Sequence, residues 1–269
     1  MNRTFRIILI TYCLSFSTLL QAKSYSFGIV PQQSASKLAS LWVPILSNIS
    51  KETGHKIIFK TAKNIPEFER NLAAGVYDFA YMNPYHYTVF HESSKYNAIA
   101  KAKDKRIKGI IVIKKGSSFK HLEDLKNSTI AFPSPGAFAA SMLTQSEFKN
   151  RGIPITPKYV SSHDSVYRNV AQGRLNAGGG VMRTLKNMEQ DIRDQLKILW
   201  ISDGYTPHAI AAHERVPDKH KLLVQEALAS FASSNSNTRL LSRIKLKGFE
   251  KASNENWNDV RGLQIGVSK

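Results

Sequence analysis

At 269 residues, with 38 Lys and Arg against 20 Asp and Glu, the chain carries a formal charge of +18. That length can bury one large core or two modest ones, and a single cysteine, Cys13, excludes an internal disulfide framework. A field of this sign draws small anions into a cleft and equally suits adhesion to nucleic acid or anionic lipid. However, no helix-turn-helix, zinc or aromatic-platform signature stands beside the basic residues. The basic clusters at 101–108 and 243–251 are interleaved with apolar residues and read as solvated faces. Nucleic acid is therefore not an expected partner.

In chain order, Arg3 and Arg6 precede the apolar run IILITYCLSFSTLL, and LQA ends on the small Ala22. This is the layout of a secretory signal peptide over 1–22, cut before Lys23. The apolar run has 14 residues, short of the roughly 20 needed to span a bilayer, which argues against an anchor. Tyr12 stands before Cys13 where a small residue would be needed, which argues against a lipid-modified cysteine. Cleavage leaves 247 residues with no cysteine, hence no thiolate nucleophile and no cysteine-ligated metal. The charge becomes +16, from 36 basic and 20 acidic residues. The mature product is expected to be soluble and periplasmic, with no stable membrane insertion.

Short apolar runs then alternate with amphipathic stretches, the pattern of an α/β protein. YSFGIV (25–30) reads as a strand. A helix follows whose apolar positions Leu38, Leu41, Trp42, Ile45, Leu46 and Ile49 mark one face, with Gly54 ending it. HKIIFKTA reads as a strand, IPEFERNLAAG as a helix and YDFAYM as a strand, a β-α-β-α-β series that predicts a parallel sheet. A second series starts after residue 107. IKGIIVIKK, STIAFP, PKYVSS and NAGGGVM read as strands, the last as a strand or a strand-like turn. SFKHLEDLKN (opened by Ser117 or Ser118), GAFAASMLTQSEFKNRG (closed by Gly152) and HDSVYRNVAQGR read as helices. The chain finishes mostly helical from Asp218. Two series without a flexible tether predict two lobes, 23–107 with 205–269 and 108–204, sharing a double hinge near 107–114 and 199–212.

In such sheets ligands sit beyond the carboxyl ends of the strands, and there this sequence turns polar, aromatic or glycine-rich. In FPSPGAFAAS, Pro133 and Pro135 stiffen a turn and Gly136 frees the backbone. The helix that follows begins with unpaired N–H groups at the positive end of its dipole. An anion there would accept from Gly136, Ala137, Phe138 and the Ser134 hydroxyl; alternatively Ser134 only caps the helix. SSHDSVYRNVAQG repeats the arrangement: His163 offers a donor that becomes cationic at modest cost, while Asp164 is able to satisfy the helix start. DFAYMNPYHYTVF gathers Tyr81, Asn83, Tyr85, His86 and Tyr87 in one strand end and turn; their neutral donors suit an anion, and some of the rings must be core. Gly178, Gly179 and Gly180 permit close backbone approach but match no phosphate-binding loop. Arg183 either clamps an oxyanion or is a solvated helix residue.

No G-x-S-x-G, H-E-x-x-H or S-x-x-K stands in a suitable setting, and the eight histidines form no i, i+4 pair. Catalysis is not supported, and no cofactor or metal is implied. Four segments in order, FGIVPQQSASKLASLWVPIL, AAGVYDFAYMNPYHY, IAFPSPGAFAAS and SSHDSVYRNVAQG, resemble the PhnD-like phosphate/phosphite/phosphonate-binding proteins of ABC importers. The resemblance runs from about Tyr25 to about Pro217. It implies a type II periplasmic binding fold, two α/β lobes joined by a two-strand hinge and closing on a small anionic ligand. It implies a monomer that docks on the permease of an ABC transporter. Carried over by residue, it places Ser134, Gly136 and Ala137 at the helix-dipole site and His163 at the histidine position. NPYHY, with Asn83, Tyr85 and His86, lies on the facing lobe, and Gln33 sits in PQQS at the first strand's end. The family's hydroxyl-rich helix start is here SPGAFAAS, and its recognition acid is replaced by NAGGGV, which argues against an aminoalkylphosphonate. A module that presents its anion to a separate sensor kinase or chemoreceptor is the alternative.

Overall fold

The computed structural model describes residues 22–263, so the expected signal peptide, Cys13 included, lies outside the described residues except for Ala22. The first part of the chain forms β1 (Ser24–Ile29), α1 (Ala35–Thr53), β2 (Lys56–Lys60), α2 (Ile65–Ala73), β3 (Phe79–Met82), α3 (Pro84–Ser94) and β4 (Tyr96–Ala102). α1 starts where the Ser34 hydroxyl accepts from the Lys37 N–H, buries Leu38, Leu41, Trp42, Ile45, Leu46 and Ile49, and stops at Gly54 with φ 68°. The segment read as a turn after β3 is in fact the 11-residue α3. Asn83 caps it by accepting from the His86 N–H at 2.8 Å, and Pro84 occupies its first turn, where a missing N–H costs nothing.

The chain then crosses into a second unit: β5 (Gly109–Lys114), β6 (Thr129–Phe132), a π-helical turn Phe138–Leu143 running directly into α4 (Thr144–Asn150), β7 (Thr156–Tyr159), α5 (His163–Ala171), β8 (Ala177–Val181), α6 (Met182–Lys186), α7 (Gln190–Arg193) and β9 (Leu196–Ile201). The helix expected over 118–127 is reduced to a single 3-10 turn, Leu122–Leu125. It is opened by His121, with the Asp124 carboxylate accepting from the N–H groups of Lys120 and His121. The chain returns through β10 (Ala209–His213), α8 (Asp218–Ala229), α9 (Asn235–Arg243), β11 (Phe249–Lys251) and α10 (Asn258–Arg261). No helix among the described residues is long and apolar enough to cross a membrane.

Two sheets result, ordered β11-β4-β10-β3-β1-β2 and β7-β6-β8-β5-β9. In each, three strands run parallel as expected (β2, β1, β3 and β7, β6, β8). The parallel expectation fails at the next strand. β10 is antiparallel to both β3 and β4, and β5 is antiparallel to both β8 and β9. The reason is connectivity: β5 and β10 are the strands that enter each lobe from the other lobe, so neither follows a helical crossover within its own sheet. Between the lobes, Ile107 and Tyr205 pair as an isolated antiparallel bridge.

β5 shows how the second lobe is layered. Ile110 and Val112 face the cluster with Val166, Tyr167 and Val170 of α5, while Ile111 and Ile113 face Phe132, Phe148 and Leu125. The π-helical turn lies against this sheet at β5 and β8, and glycine makes that contact possible. A Cβ on Gly109 would sit 2.2 Å from the Ala139 carbonyl oxygen, and one on Gly179 would sit 2.0 Å from that of Ala140. Gly178 and Gly180 are pressed equally hard by Val166 and Tyr167. The triple glycine is therefore the interior of a strand packed on both faces, not a loop around a ligand. Phe138, Ala139 and Ala140 meanwhile join the core cluster of the first lobe, so the two lobes are packed on each other.

Candidate functional site

The carboxyl ends of β1, β3, β6 and β8 point into the gap between the lobes, where open α/β sheets bind ligands. A small cavity there is bordered by Val30, Gln32 and Asn83 from one side, by Ala137–Ala140, His163 and Val181 from the other, and by Ile65, Ile107 and His208. Four of the residues singled out in the sequence, Asn83, Ala137, Phe138 and His163, border it directly.

Direct bonds cross the gap. The His163 N–H donates to the Gln32 carbonyl at 3.3 Å, the Asn83 side-chain amide donates to the Gly136 carbonyl at 2.9 Å, Arg183 Nη2 donates to Gln32 Oε1, and Lys37 Nζ donates to the Asn187 carbonyl. Gly136 itself lies against Glu69 of the opposite lobe; a Cβ on it would come within 1.9 Å of that carboxylate. Glu69 accepts from His86 Nε2 at 2.9 Å, and His86 is fully buried. Tyr85 is half-buried beside Glu69, and burial followed by that carboxylate raises its hydroxyl pKa. Gln33 is buried with neither side-chain polar atom bonded to a described residue. Tyr87 is core: its hydroxyl donates to Asn254 and its ring packs on Trp257.

On the second lobe Ser134 is not a cap. The helix start at Ala137 has no side-chain cap, and the buried Ser134 hydroxyl bonds no described residue. The Ser141 hydroxyl, one turn on, is likewise buried and unbonded. α5 is capped by Ser162, whose hydroxyl accepts from the Ser165 N–H at 3.1 Å, which leaves His163 and Asp164 free of that duty. His163 is not easily made cationic, contrary to its sequence-based reading. Burial, and then the Arg183 guanidinium, hold its pKa down to about 3. The same two causes hold His208 neutral, a residue the sequence reading did not single out. Its only available signal was its position just before β10.

Arg183 is not the solvated helix residue that the sequence left open. It is buried at 9% exposure rather than solvated, and its guanidinium carbon lies 5.9 Å from the centroid of the Tyr81 ring. Among the described residues no carboxylate pairs with it. Its hydrogen-bond partner among the described residues is the neutral Gln32 amide. Tyr81 in turn stacks on His208 at 4.8 Å. The site is thus a buried cation, a helix start without a side-chain cap beside the unbonded Ser134 hydroxyl, and two neutral imidazoles, closed in by both lobes; the Ala137 N–H, expected to face an anion, instead donates to the Ser134 carbonyl at 3.3 Å. That set stabilises negative charge.

Comparisons with known proteins bear on the fold and the family. The phosphate-import protein PhnD of Mycolicibacterium smegmatis is 20% identical, the match covering 71% of this chain and 67% of that protein. A solved binding component of an ABC phosphonate transporter from Pseudomonas aeruginosa superposes with a TM-score of 0.83 at 16% identity, over 90% of this chain and 86% of the other. The structure of a PhnD protein of Prochlorococcus marinus in complex with methylphosphonate gives 0.82 at 16% identity, over 89% and 96%. These likenesses establish a type II periplasmic binding fold. A sequence model described as the phosphonate periplasmic substrate-binding protein of ABC transporters matches residues 27–257. The chain therefore belongs to that family of periplasmic substrate-binding proteins.

Proposed function

We propose that this chain captures a small phosphorus oxyanion (phosphate, phosphite or a simple phosphonate) between its lobes and presents it to the permease of an ABC importer. The observation that carries the reading is Arg183, a buried cation with no carboxylate partner among the described residues, beside the unbonded Ser134 hydroxyl and the helix start at Ala137. A buried charge needs a counter-charge, and a bound oxyanion supplies it with bidentate geometry. In this reading Ser134, Gly136, Ala137, His163 and Arg183 bind from the second lobe. Gln33, Asn83, Tyr85 and His86 close from the first. The lobes divide as 23–107 with 205–269 and 108–204, and residues 1–22 are removed on export to the periplasm. The protein works as a monomer by capture and closure alone, with no catalytic step and no nucleic acid partner.

A thermal-shift screen with phosphate, phosphite, methylphosphonate, sulfate and amino acids tests this. Ligand at a hundred times its dissociation constant adds about 2.7 kcal/mol to the bound form. A clear shift with a phosphorus oxyanion supports the reading. A shift with an amino acid and none with any phosphorus oxyanion overturns it.

A further inference from the structure

His163 is tied to a buried pair of hydroxyls behind the cleft. Thr184 on α6 reaches the Val181 carbonyl at 3.0 Å. Tyr167 on α5 reaches the same carbonyl at 3.0 Å, accepts the Val181 N–H at 3.1 Å, and lies 2.7 Å from the Thr184 hydroxyl. The two hydroxyls share two protons: one bridges the 2.7 Å contact between them and the other goes to the Val181 carbonyl, so the Thr184 proton is used at 2.7 or 3.0 Å in either arrangement. What Thr184 has left for His163 Nδ1, 3.4 Å away, is a lone pair. Nδ1 then carries the ring hydrogen, and Nε2 of the neutral ring is an acceptor. Nε2 bonds no protein group among the described residues, and His163 borders the cavity. The charged and titratable groups around the ring are Arg183 on α6, Tyr167 and Asp164 on its own helix, and His208 before β10, itself stacked on Tyr81 of β3. Burial and Arg183 oppose a proton on the ring.

We infer that His163, oriented by Thr184 and Tyr167, accepts a hydrogen bond from an O–H of the ligand, so that the cleft selects oxyanions that still carry a proton over those that carry none. This rests on the reading above that the anion lies at His163. The chemistry makes three probes distinct. Phosphate keeps an O–H on both sides of its second pKa. Phosphite and methylphosphonate lose theirs as they become dianions, and sulfate has none. A fully deprotonated anion leaves the Nε2 lone pair facing an oxygen lone pair in a buried site, and a site built for a hydrogen bond rejects ligands that lack it strongly.

Calorimetric titration of the mature protein between about pH 6 and about pH 9 tests this. Phosphite and methylphosphonate should weaken by about tenfold per pH unit above their second pKa. Phosphate should stay level, and sulfate should bind about a hundredfold or more weaker than phosphate throughout. Thr184→Val should narrow the sulfate gap and flatten the phosphite slope, and Thr184→Ser should restore both, which a merely structural role for Thr184 would not do. Sulfate within about threefold of phosphate, or phosphite and phosphate running parallel with pH, overturns the inference while the anion-binding reading stands. Failure of every phosphorus oxyanion to bind wild-type protein overturns the reading itself.

Discussion

The side-chain amide of Asn83 donates to the carbonyl of Gly136 across the cleft at 2.9 Å, while the Oδ1 of the same side chain accepts from the N–H of His86. One residue thus starts a helix in the first lobe and reaches the Gly136 turn of the second. The two duties are separable by chemistry. Asn83→Asp keeps the cap, since a carboxylate accepts as well as an amide, but removes the donor and places negative charge against a carbonyl. We expect stability of the free protein to change little and ligand affinity to fall by about 1 kcal/mol or more, read by calorimetry beside a thermal melt. Equal losses in both measurements would show that Asn83 acts only as a cap.

Arg183→Met should split stability from binding in the opposite sense. Removing a buried cation that lacks an acidic partner relieves desolvation, so the free protein should gain about 1 kcal/mol. Ligand binding should lose about 2–5 kcal/mol, because the anion then has no buried counter-charge. Retained affinity would place the ligand away from Arg183.

Acid should destabilise the free protein through its buried imidazoles. His163 is held to about 3 and His208 well below its ordinary value, both first by burial and then by Arg183. The folded pKa is below the unfolded one, so below about pH 6.5 the unfolded chain binds more protons than the native state. The stability associated with keeping the rings neutral is complete above that pH and declines on acidification, by about 1.4 kcal/mol per pH unit for each ring. A melting series from about pH 7 to about pH 4 should show this, and His163→Gln should remove one proton from the slope. An unchanged slope in that variant would mean that the ring is already protonated in the fold.

Gly179→Ala should damage the second lobe. Its Cβ would meet the Ala140 carbonyl oxygen at 2.0 Å and the Phe132 ring at 2.6 Å, neither of which is the loose end of a flexible chain. We expect a loss of about 2–3 kcal/mol and a displaced helix start. Gly136→Ala presses closely on the end of the Glu69 side chain, which can swing away, and meets His86 at an ordinary 3.5 Å, so it should cost far less in stability. Comparable melting temperatures for the two variants would contradict the packing argument.

Much of this was legible in the residues. The apolar face of α1 and its glycine stop are local signals, and so is the polarity change after β1, β3 and β6 that marks the cleft. What the sequence hid was set by distant partners. α3 was missed because Tyr85, His86 and Tyr87 blur any apolar period, although Asn83-Pro84 is a helix start as much as a turn. The antiparallel direction of β10 follows from its return out of the other lobe, which no local pattern records. Burial of Arg183 and neutrality of His163 depend on the two lobes meeting, and the choice between strand and strand-like turn at Gly178–Gly180 is settled by side chains of α5 and the π-helical turn that press on the glycines.

The place of β10 has a further consequence for how the chain acquires its structure. It inserts between β3 and β4, yet the whole of the second sheet, β5 to β9, is synthesised before it. The first lobe cannot complete its sheet until that inserted domain has emerged, whereas the inserted domain has all of its own strands in one continuous stretch. Contacts that distant in sequence form slowly, so during maturation the second lobe should fold first and the first lobe last.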